Sequence, residues 1–246
     1  MQKHRYGLLG KDIDYSFSRS YFKNKFQAES IDNATYENFD FQSLGDDFER
    51  FLTETEIAGM NVTIPYKEEV IPFLDELDQD AQEIGAVNTI RFKEGTMKGF
   101  NTDAYGFDMA ISPMLKPEME AALILGTGGA SKAVAYVLRK RGIQVTFASR
   151  NPDSPNQISY DELLDQGFGP IKIIVNASPI GTFPQVLEKP KLPYDLIQSN
   201  FVLFDLIYNP EVTAFLQEGK SKGAQIKNGY EMLVHQAEKA WEIWNK

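Results

Sequence analysis

Apolar positions along this chain fall into short runs separated by polar, glycine- and proline-bearing segments, and the period within each run predicts its structure. Tyr6–Gly10 reads as a first strand, Ser20–Ala28 as a helix, Glu37–Phe41 as a strand and Asp46–Thr53 as a helix. Glu56–Thr63 predicts a strand stopped near Pro65, which brings no ladder donor. A helix over Tyr66–Leu77 is expected next, because proline suits the first helical position. Val87–Phe92 and Thr96–Phe100 flank Lys93-Glu94-Gly95, a hairpin pattern with glycine at the turn.

From about Ala121 the pattern changes. Ala121–Leu125 is a continuous apolar run, as in a strand buried on both faces, and a helical pattern (Lys132–Arg141) and a second strand (Ile143–Ala148) follow. Further apolar runs at Ile171–Val175 and Phe201–Leu206 complete an alternation that predicts a parallel sheet with helices on both faces. In Tyr230–Trp244 one helical face collects Leu233, Ala237, Ala240, Trp241 and Trp244. The expected organisation is two α/β domains, residues 1–103 and 104–228, with a helix within 229–246 packing back on the first.

Composition narrows the chemistry. The 246 residues suffice for one large or two modest cores, and a net charge of -10 disfavours a phosphate-backbone binder. There is no cysteine, which excludes thiolate metal sites and cysteine nucleophiles, and two histidines leave little for a multi-histidine metal site or a Ser-His-Asp triad. No stretch approaches the ~20 apolar residues of a membrane span, so a cytoplasmic protein without membrane or nucleic-acid partners is expected.

Leu125-Gly126-Thr127-Gly128-Gly129-Ala130-Ser131 lies between a buried strand and a helix. There a tight turn, close backbone approach and a helix N-terminus suit a pyrophosphate; a purely structural turn is the alternative. Sites for NAD place an acid at the end of the second strand, against the ribose hydroxyl. This chain reads Ser149-Arg150-Asn151, with no acid before Asp153. The planar donor fork of Arg150 suits a 2′-phosphate, which favours NADP; otherwise it is a solvated loop residue.

Several polar motifs stand where apolar residues would be ordinary. In an extended segment Ser16 and Ser18 would point the same way, two hydroxyls for one carboxylate, although turn-capping serines are the alternative. Asn61 and Thr63 share a face at a strand end. Lys67, in the first turn of the expected helix, would meet the positive end of the helix dipole, a setting for a proton donor and acceptor; a surface lysine is the plain alternative. Asn88 and Asn101-Thr102-Asp103 flank the hairpin, and Thr102 or Asp103 can cap the helix expected from Ala104. Asn176–Gly181 and Asp205–Pro210 each follow a strand of the parallel sheet, where such sheets bind ligands.

Taken in order, these motifs resemble the shikimate dehydrogenase family over nearly the whole chain, from Tyr6–Gly10 to Gln236. The most specific pieces are Asn61–Lys67, Gly85–Thr89 and Asn101–Asp103. The resemblance implies a substrate domain followed by a Rossmann-type NADP domain, and NADPH-dependent reduction of 3-dehydroshikimate to shikimate. It implies Lys67 and Asp103 as the catalytic pair, Ser16 and Ser18 on the substrate carboxylate, and Asn61, Thr63 and Asn88 around its hydroxyls. Tyr208 and Gln236 match substrate contacts from the second domain and the final helix. Gly126, Thr127, Gly128, Gly129 and Ala130 match the pyrophosphate turn, and Ser149 and Arg150 the adenosine-phosphate site. Ala177, Ser178, Leu206, Gly229 and Met232 complete the cofactor set, with Met232 near the nicotinamide. No metal is implied, and the expected assembly is a monomer or homodimer.

The chain departs from the family around the serines. It has Tyr15-Ser16-Phe17-Ser18-Arg19 where His-Ser-x-Ser-Pro is common, Phe22 for a later histidine, Asp12 for a frequent proline, and Ser149 for an asparagine. Quinate/shikimate dehydrogenases share the motifs but can favour NAD, against which Arg150 speaks. A non-catalytic sensing module would not need Lys67 and Asp103. A methylene-tetrahydrofolate dehydrogenase leaves the serine pair and Asn101–Asp103 unexplained.

Overall fold

The computed structural model describes residues 4–14 and 16–246. The chain divides into two compact units, residues 1–102 with 237–246, and residues 103–236. The first unit carries β1 (His4–Gly10), α1 (Phe17–Ala28), β2 (Ala34–Asp40), α2 (Asp46–Glu54), β3 (Gly59–Val62), β4 (Glu76–Leu77), α3 (Gln79–Ile84), β5 (Thr89–Lys93) and β6 (Thr96–Phe100). Its mixed sheet has the order β2-β1-β3-β5-β6-β4, parallel from β2 through β3 and antiparallel through β5 and β6. Glu94 and Gly95 join that hairpin with φ of 53° and 78°. Two left-handed residues give a turn whose twist matches the strands.

The helix expected over Tyr66–Leu77 does not form. Residues 64–70 make turns, Ile71–Phe73 a single 3-10 turn, and Glu76–Leu77 pair as β4. Pro72 explains the difference, since it lacks an N–H and its ring collides with the carbonyl one turn back. The Lys67 carbonyl accepts instead from Val87 N–H across the unit, at 2.7 Å.

Alternation along β1 sends Leu9 and Tyr6 to opposite faces. Leu9 joins Met60, Val62, Tyr66, Val87 and Ile90 under Phe48 of α2. Tyr6 joins Phe22 and Phe26 of α1 and Ala237, Ala240, Ile243 and Trp244 of the final helix. Trp244 stacks on Tyr6 with centroids 5.0 Å apart, and its indole N–H donates to the Ile90 carbonyl at 3.0 Å. A Cβ on Gly59 would lie 2.4 Å from the Trp244 ring, so only glycine lets the indole reach the strand. Burying each such ring contributes roughly 2–3 kcal/mol.

In the second unit, after α4 (Thr102–Ile111), come β7 (Ala121–Leu125), α5 (Gly129–Lys140), β8 (Gln144–Ser149), β9 (Gln157–Ser159), α6 (Tyr160–Gln166), β10 (Ile171–Asn176), β11 (Val202–Asp205), α7 (Ala214–Ser221), β12 (Gln225–Lys227) and α8 (Tyr230–Trp244). The sheet is parallel throughout, in the order β12-β11-β10-β7-β8-β9. Counted within the unit this is 3-2-1-4-5-6 read from the other edge, the doubly wound dinucleotide-binding order, with its switch point beside β7. Leu163 of α6 and Phe215 and Leu216 of α7 cover the face bearing Leu123, Leu125 and Leu203. On the opposite face Phe107 of α4 packs edge-on against Phe204 at 5.1 Å. The two α/β units, the second with a Rossmann-type sheet, are those the alternation of runs predicts.

Candidate active site

The serine pair is not extended. Ser16 is the N-cap of α1 and accepts from Arg19 N–H at 3.3 Å, while Ser18 lies in the first helical turn. The period-two geometry expected for them is therefore wrong; the helix starts three residues earlier than the apolar pattern suggested. As a cap Ser16 uses a lone pair, which leaves its O–H as a donor. Tyr15 lies outside the described residues.

The same unit holds a buried chain of amides and hydroxyls. Asn61, near the end of β3, accepts from Tyr36 Oη at 2.8 Å and donates to Thr89 Oγ1 at 3.2 Å and the Asn88 carbonyl at 3.3 Å. Asn88 Oδ1 accepts from Thr102 N–H at 2.6 Å and so caps α4, while its Nδ2 donates to Thr102 Oγ1 at 3.0 Å. Asn101 Nδ2 donates to the Ala86 carbonyl at 2.8 Å. Main-chain bonds from Val62 N–H to the Asn88 carbonyl and from Val87 N–H to the Lys67 carbonyl, at 2.8 and 2.7 Å, tie the same segments together. Asn61, Asn88 and Thr102 are buried, and Thr63 and Lys67 half-buried. Because the expected helix is absent, the dipole rationale for Lys67 does not hold; what positions it is the carbonyl anchor to Val87. Asp103, also buried, follows Thr102 as the second residue of α4.

The second unit gathers the other set at the carboxyl edge of its sheet. Gly126 has φ of 102°, and a Cβ there would press on the Ala177 carbonyl at 3.2 Å. Gly128 caps α5 without a side-chain bond, and a Cβ built on it meets nothing within 4 Å. That open space over a helix N-terminus, with no acid in the first turn, fits a pyrophosphate. Thr127, Gly129 and Ala130 complete the turn, and the buried Ser131 donates to the Gly128 carbonyl at 2.6 Å, so a small hydroxyl fits there. Ala177 N–H donates to the Leu125 carbonyl at 3.0 Å, and Ser178 Oγ to Asn176 Oδ1 at 2.7 Å. Gly229 passes so close to Leu206 that a Cβ would stand 2.1 Å from its carbonyl oxygen. Met232 and Gln236 are buried on α8, Gln236 Nε2 donating to the Leu233 carbonyl at 3.0 Å, and Tyr208 is exposed.

Arg150 follows β8 directly and is exposed, and Ser149 Oγ accepts from Asn151 N–H at 3.2 Å. Only residues 150–156 link β8 to β9, without a helix. Beside Arg150 a cavity of about 490 Å³ opens between Ser159 and Tyr160 and the segment carrying Ile180, Lys189 and Lys191. Lys189 and Lys191, which the sequence did not single out, line it together with Arg150, but so do Asp161 and Glu188, so the cavity carries charges of both signs.

Asp205, at the end of β11, accepts from Thr213 Oγ1 at 2.6 Å, Asn176 Nδ2 at 3.0 Å and Ile207 N–H at 3.0 Å. Burial outweighs these bonds and raises its carboxyl from 3.8 to about 6. The unfolded chain then releases this proton first, so the group's ionisation destabilises the fold as pH rises from about 4 to about 6. The full loss is about 3 kcal/mol above that window. Denaturant unfolding of wild type and Asp205→Asn at pH 4.5 and 8 measures it. The wild-type-minus-variant stability is expected to fall by a few kcal/mol between the two pH values; a flat difference would contradict the raised value.

Among the described residues no group of three or more His, Asp or Glu side chains could hold a metal, and no helix is long and apolar enough to cross a membrane. Comparison with known proteins agrees with the architecture. Residues 8–90 match the family described as the shikimate dehydrogenase substrate binding domain. A shikimate dehydrogenase (NADP+) of Methanosphaera stadtmanae is 35% identical over an alignment covering 97% of this chain and 90% of the relative. The crystal structure of shikimate dehydrogenase from Aquifex aeolicus superposes with a TM-score of 0.85 at 34% identity, covering 99% of this chain and 92% of that one. The Thermus thermophilus enzyme, solved in complex with NADP(H) and shikimate, gives 0.84 at 30% identity, covering 98% and 93%. With its two sheets, its glycine turn and its motifs in family order, the chain belongs to the shikimate dehydrogenase family.

Proposed function

We propose that this protein catalyses the reversible NADPH-dependent reduction of 3-dehydroshikimate to shikimate, on the route to chorismate and the aromatic amino acids, with Lys67 and Asp103 as its catalytic pair. The observation that carries the proposal is the pairing of two features in one chain. One is a buried amide–hydroxyl network in the same unit as a helix-capping serine and an anchored lysine. The other is a glycine turn followed by Arg150 instead of an acid.

NADPH, when bound, supplies the hydride, and the residues that would hold it are Gly126–Ala130, Ser149, Arg150, Ala177, Ser178, Leu206, Gly229 and Met232. Ser16 and Ser18 would donate to the substrate carboxylate, and Asn61, Thr63 and Asn88 would surround its hydroxyls, so that the carbonyl is held in one orientation. As negative charge grows on the carbonyl oxygen, the Lys67 ammonium stabilises it and then delivers a proton to that oxygen. Asp103 accepts from a neighbouring hydroxyl and balances the lysine charge. Tyr208 and Gln236 are further substrate contacts. The residues 1–103 with the helix of 229–246 would form the substrate domain, and 104–228 the cofactor domain. The protein would act in the cytoplasm as a monomer or homodimer, and the net charge of -10 supports a small-molecule substrate over a nucleic acid.

Shikimate oxidation followed by NADPH absorbance tests the proposal, with NAD and quinate as separate arms. Turnover with shikimate and NADP is expected to exceed the other three combinations. Preference for quinate or NAD would move the chain to the quinate/shikimate subgroup, and no turnover with any combination would overturn the assignment.

A further inference from the structure

Asp205 is a fully buried carboxylate that none of the assigned contacts includes, and its three hydrogen bonds have a direction. At pH 8, above the value of about 6 to which burial raises it, the carboxyl is ionised and can only accept. Thr213 must then give its proton to Oδ2, and Asn176 must turn its amide nitrogen toward Oδ1. The consequences differ on the two sides. Thr213, its proton committed, keeps its lone pairs and accepts from Leu216 N–H at 3.3 Å as the N-cap of α7. Asn176 presents Oδ1 to the loop that follows it, where it accepts from Ser178 N–H at 3.1 Å and Ser178 Oγ at 2.7 Å. The second amide hydrogen of Asn176 goes to the Ile180 carbonyl at 3.2 Å.

The Asn176 side leads to the residues assigned to the cofactor. Asp205 Oδ1 also takes Ile207 N–H at 3.0 Å, and Leu206 N–H donates to the Asn176 carbonyl at 2.9 Å, so the loops after β10 and β11 are laced together. The first loop backs the glycine turn, because the Ala177 carbonyl lies where a Cβ on Gly126 would come within 3.2 Å. The second backs the start of α8, because Gly229 N–H donates to the Ile207 carbonyl at 3.1 Å. Gly126, Ala177, Ser178, Leu206 and Gly229 therefore stand on or against segments that one carboxylate joins. The Ser178 proton is committed to Asn176, so what its loop presents to a nucleotide is main chain.

We infer that Asp205 is a positioning residue for the cofactor: acting through Asn176 and Ile207, it sets the placement of the two loops against which NADP is bound. The inference rests on the proposed function, since the loops matter in this way only if a nucleotide lies across them. Asp205 itself touches neither cofactor nor substrate; each of its oxygens is occupied by donors of the protein.

The two sides of the carboxylate separate positioning from stability. Asp205→Leu and Asn176→Leu remove the link to the cofactor loops, whereas Thr213→Val removes a buried bond and the cap of α7 but leaves Asn176 in place. All three should melt at a lower temperature than the wild type. The Kd for NADP, measured by calorimetric titration at pH 8, should rise about tenfold in Asp205→Leu and Asn176→Leu, the scale of one lost bond to a charged group. In Thr213→Val it should stay within about twofold. Asp205→Asn keeps an oxygen facing Asn176 and Ile207 and should recover most of the loss. The kcat at saturating NADP and shikimate should stay within about threefold throughout. An unchanged Kd in Asp205→Leu, or equal rises in Thr213→Val and Asn176→Leu, would overturn the inference. Should Asp205→Leu fail to fold, the comparison of Asn176→Leu with Thr213→Val decides it alone. Failure of the wild type to bind NADP would instead overturn the proposed function, so the two can be told apart.

Discussion

Lys67→Ala is expected to lower kcat by about four orders of magnitude while leaving the KM for NADP unchanged. Positioned proton transfer contributes on the order of 10² to 10⁴, and a lost donor to a developing oxyanion on the order of 10² to 10³, with overlap because one group does both. The fold should survive. The lysine is held through its main-chain carbonyl by Val87 N–H, an anchor that truncation of the side chain leaves in place, and the side chain is only half-buried. Steady-state kinetics with saturating NADP, together with a melting curve, test both halves. A variant that keeps more than about a tenth of the wild-type kcat would remove Lys67 from the chemistry.

The second large effect falls on cofactor choice. Arg150→Ala should raise the KM for NADP between about tenfold and a hundredfold and leave the KM for NAD nearly unchanged. A charge-assisted fork on a phosphate is worth roughly 1.5–3 kcal/mol, and the exposure of Arg150 puts it under salt screening. The loss should therefore shrink as ionic strength rises. Lys189 and Lys191 line the same cavity, opposed there by Asp161 and Glu188, and preserve a small part of the attraction. Lys189 is already engaged, paired with Glu218 and lying 4.9 Å over the Tyr194 ring, which leaves Lys191 as the better reserve. Equal rises for NADP and NAD would mean that Arg150 supports the loop and does not read the phosphate.

How legible these features were in the sequence depended on whether local pattern or distant packing decided them. The run Ala121–Leu125 is apolar without interruption and buried throughout because both faces of the parallel sheet are covered there, and it is readable for that reason; Ile171–Val175 is legible in spite of Lys172 because Ile173, Ile174 and Val175 are buried together. The final helix was found at its observed ends because its buried face repeats through Ala237, Ala240 and Trp244. Tyr66–Leu77 failed because its apolar spacing looks helical although Pro72 forbids the helix. Ser16 and Ser18 were recognised as a pair with the wrong geometry, since Phe17, Tyr21 and Lys25 carry little helical signal on their own. Strand β2 begins three residues before the expected Glu37, and that offset hid Tyr36, whose partners come from α1 and β3. The raised carboxyl of Asp205 could not be read at all: it arises from burial beside Asn176 and Thr213, residues far from it in sequence or brought close only by the fold.

The last residues of the chain have a consequence for how the protein is made. Residues 237–246 belong to the first unit although the whole second unit is translated before them. The pocket for Trp244 over Gly59 therefore stays empty while a ribosome builds the whole second unit, and the aromatic surface of Tyr6, Phe22 and Phe26 stays partly uncovered. Within the second unit, a Cβ on Gly106 of α4 would stand 2.4 Å from the Met232 carbonyl of α8. Folding of that unit thus brings the chain leaving residue 102 close to the chain arriving at 237, and shortens the loop that the tryptophan must close. Until the tryptophan docks, the aromatic surface it covers in the first unit is exposed on the nascent chain, and transiently exposed apolar surface of that kind favours aggregation.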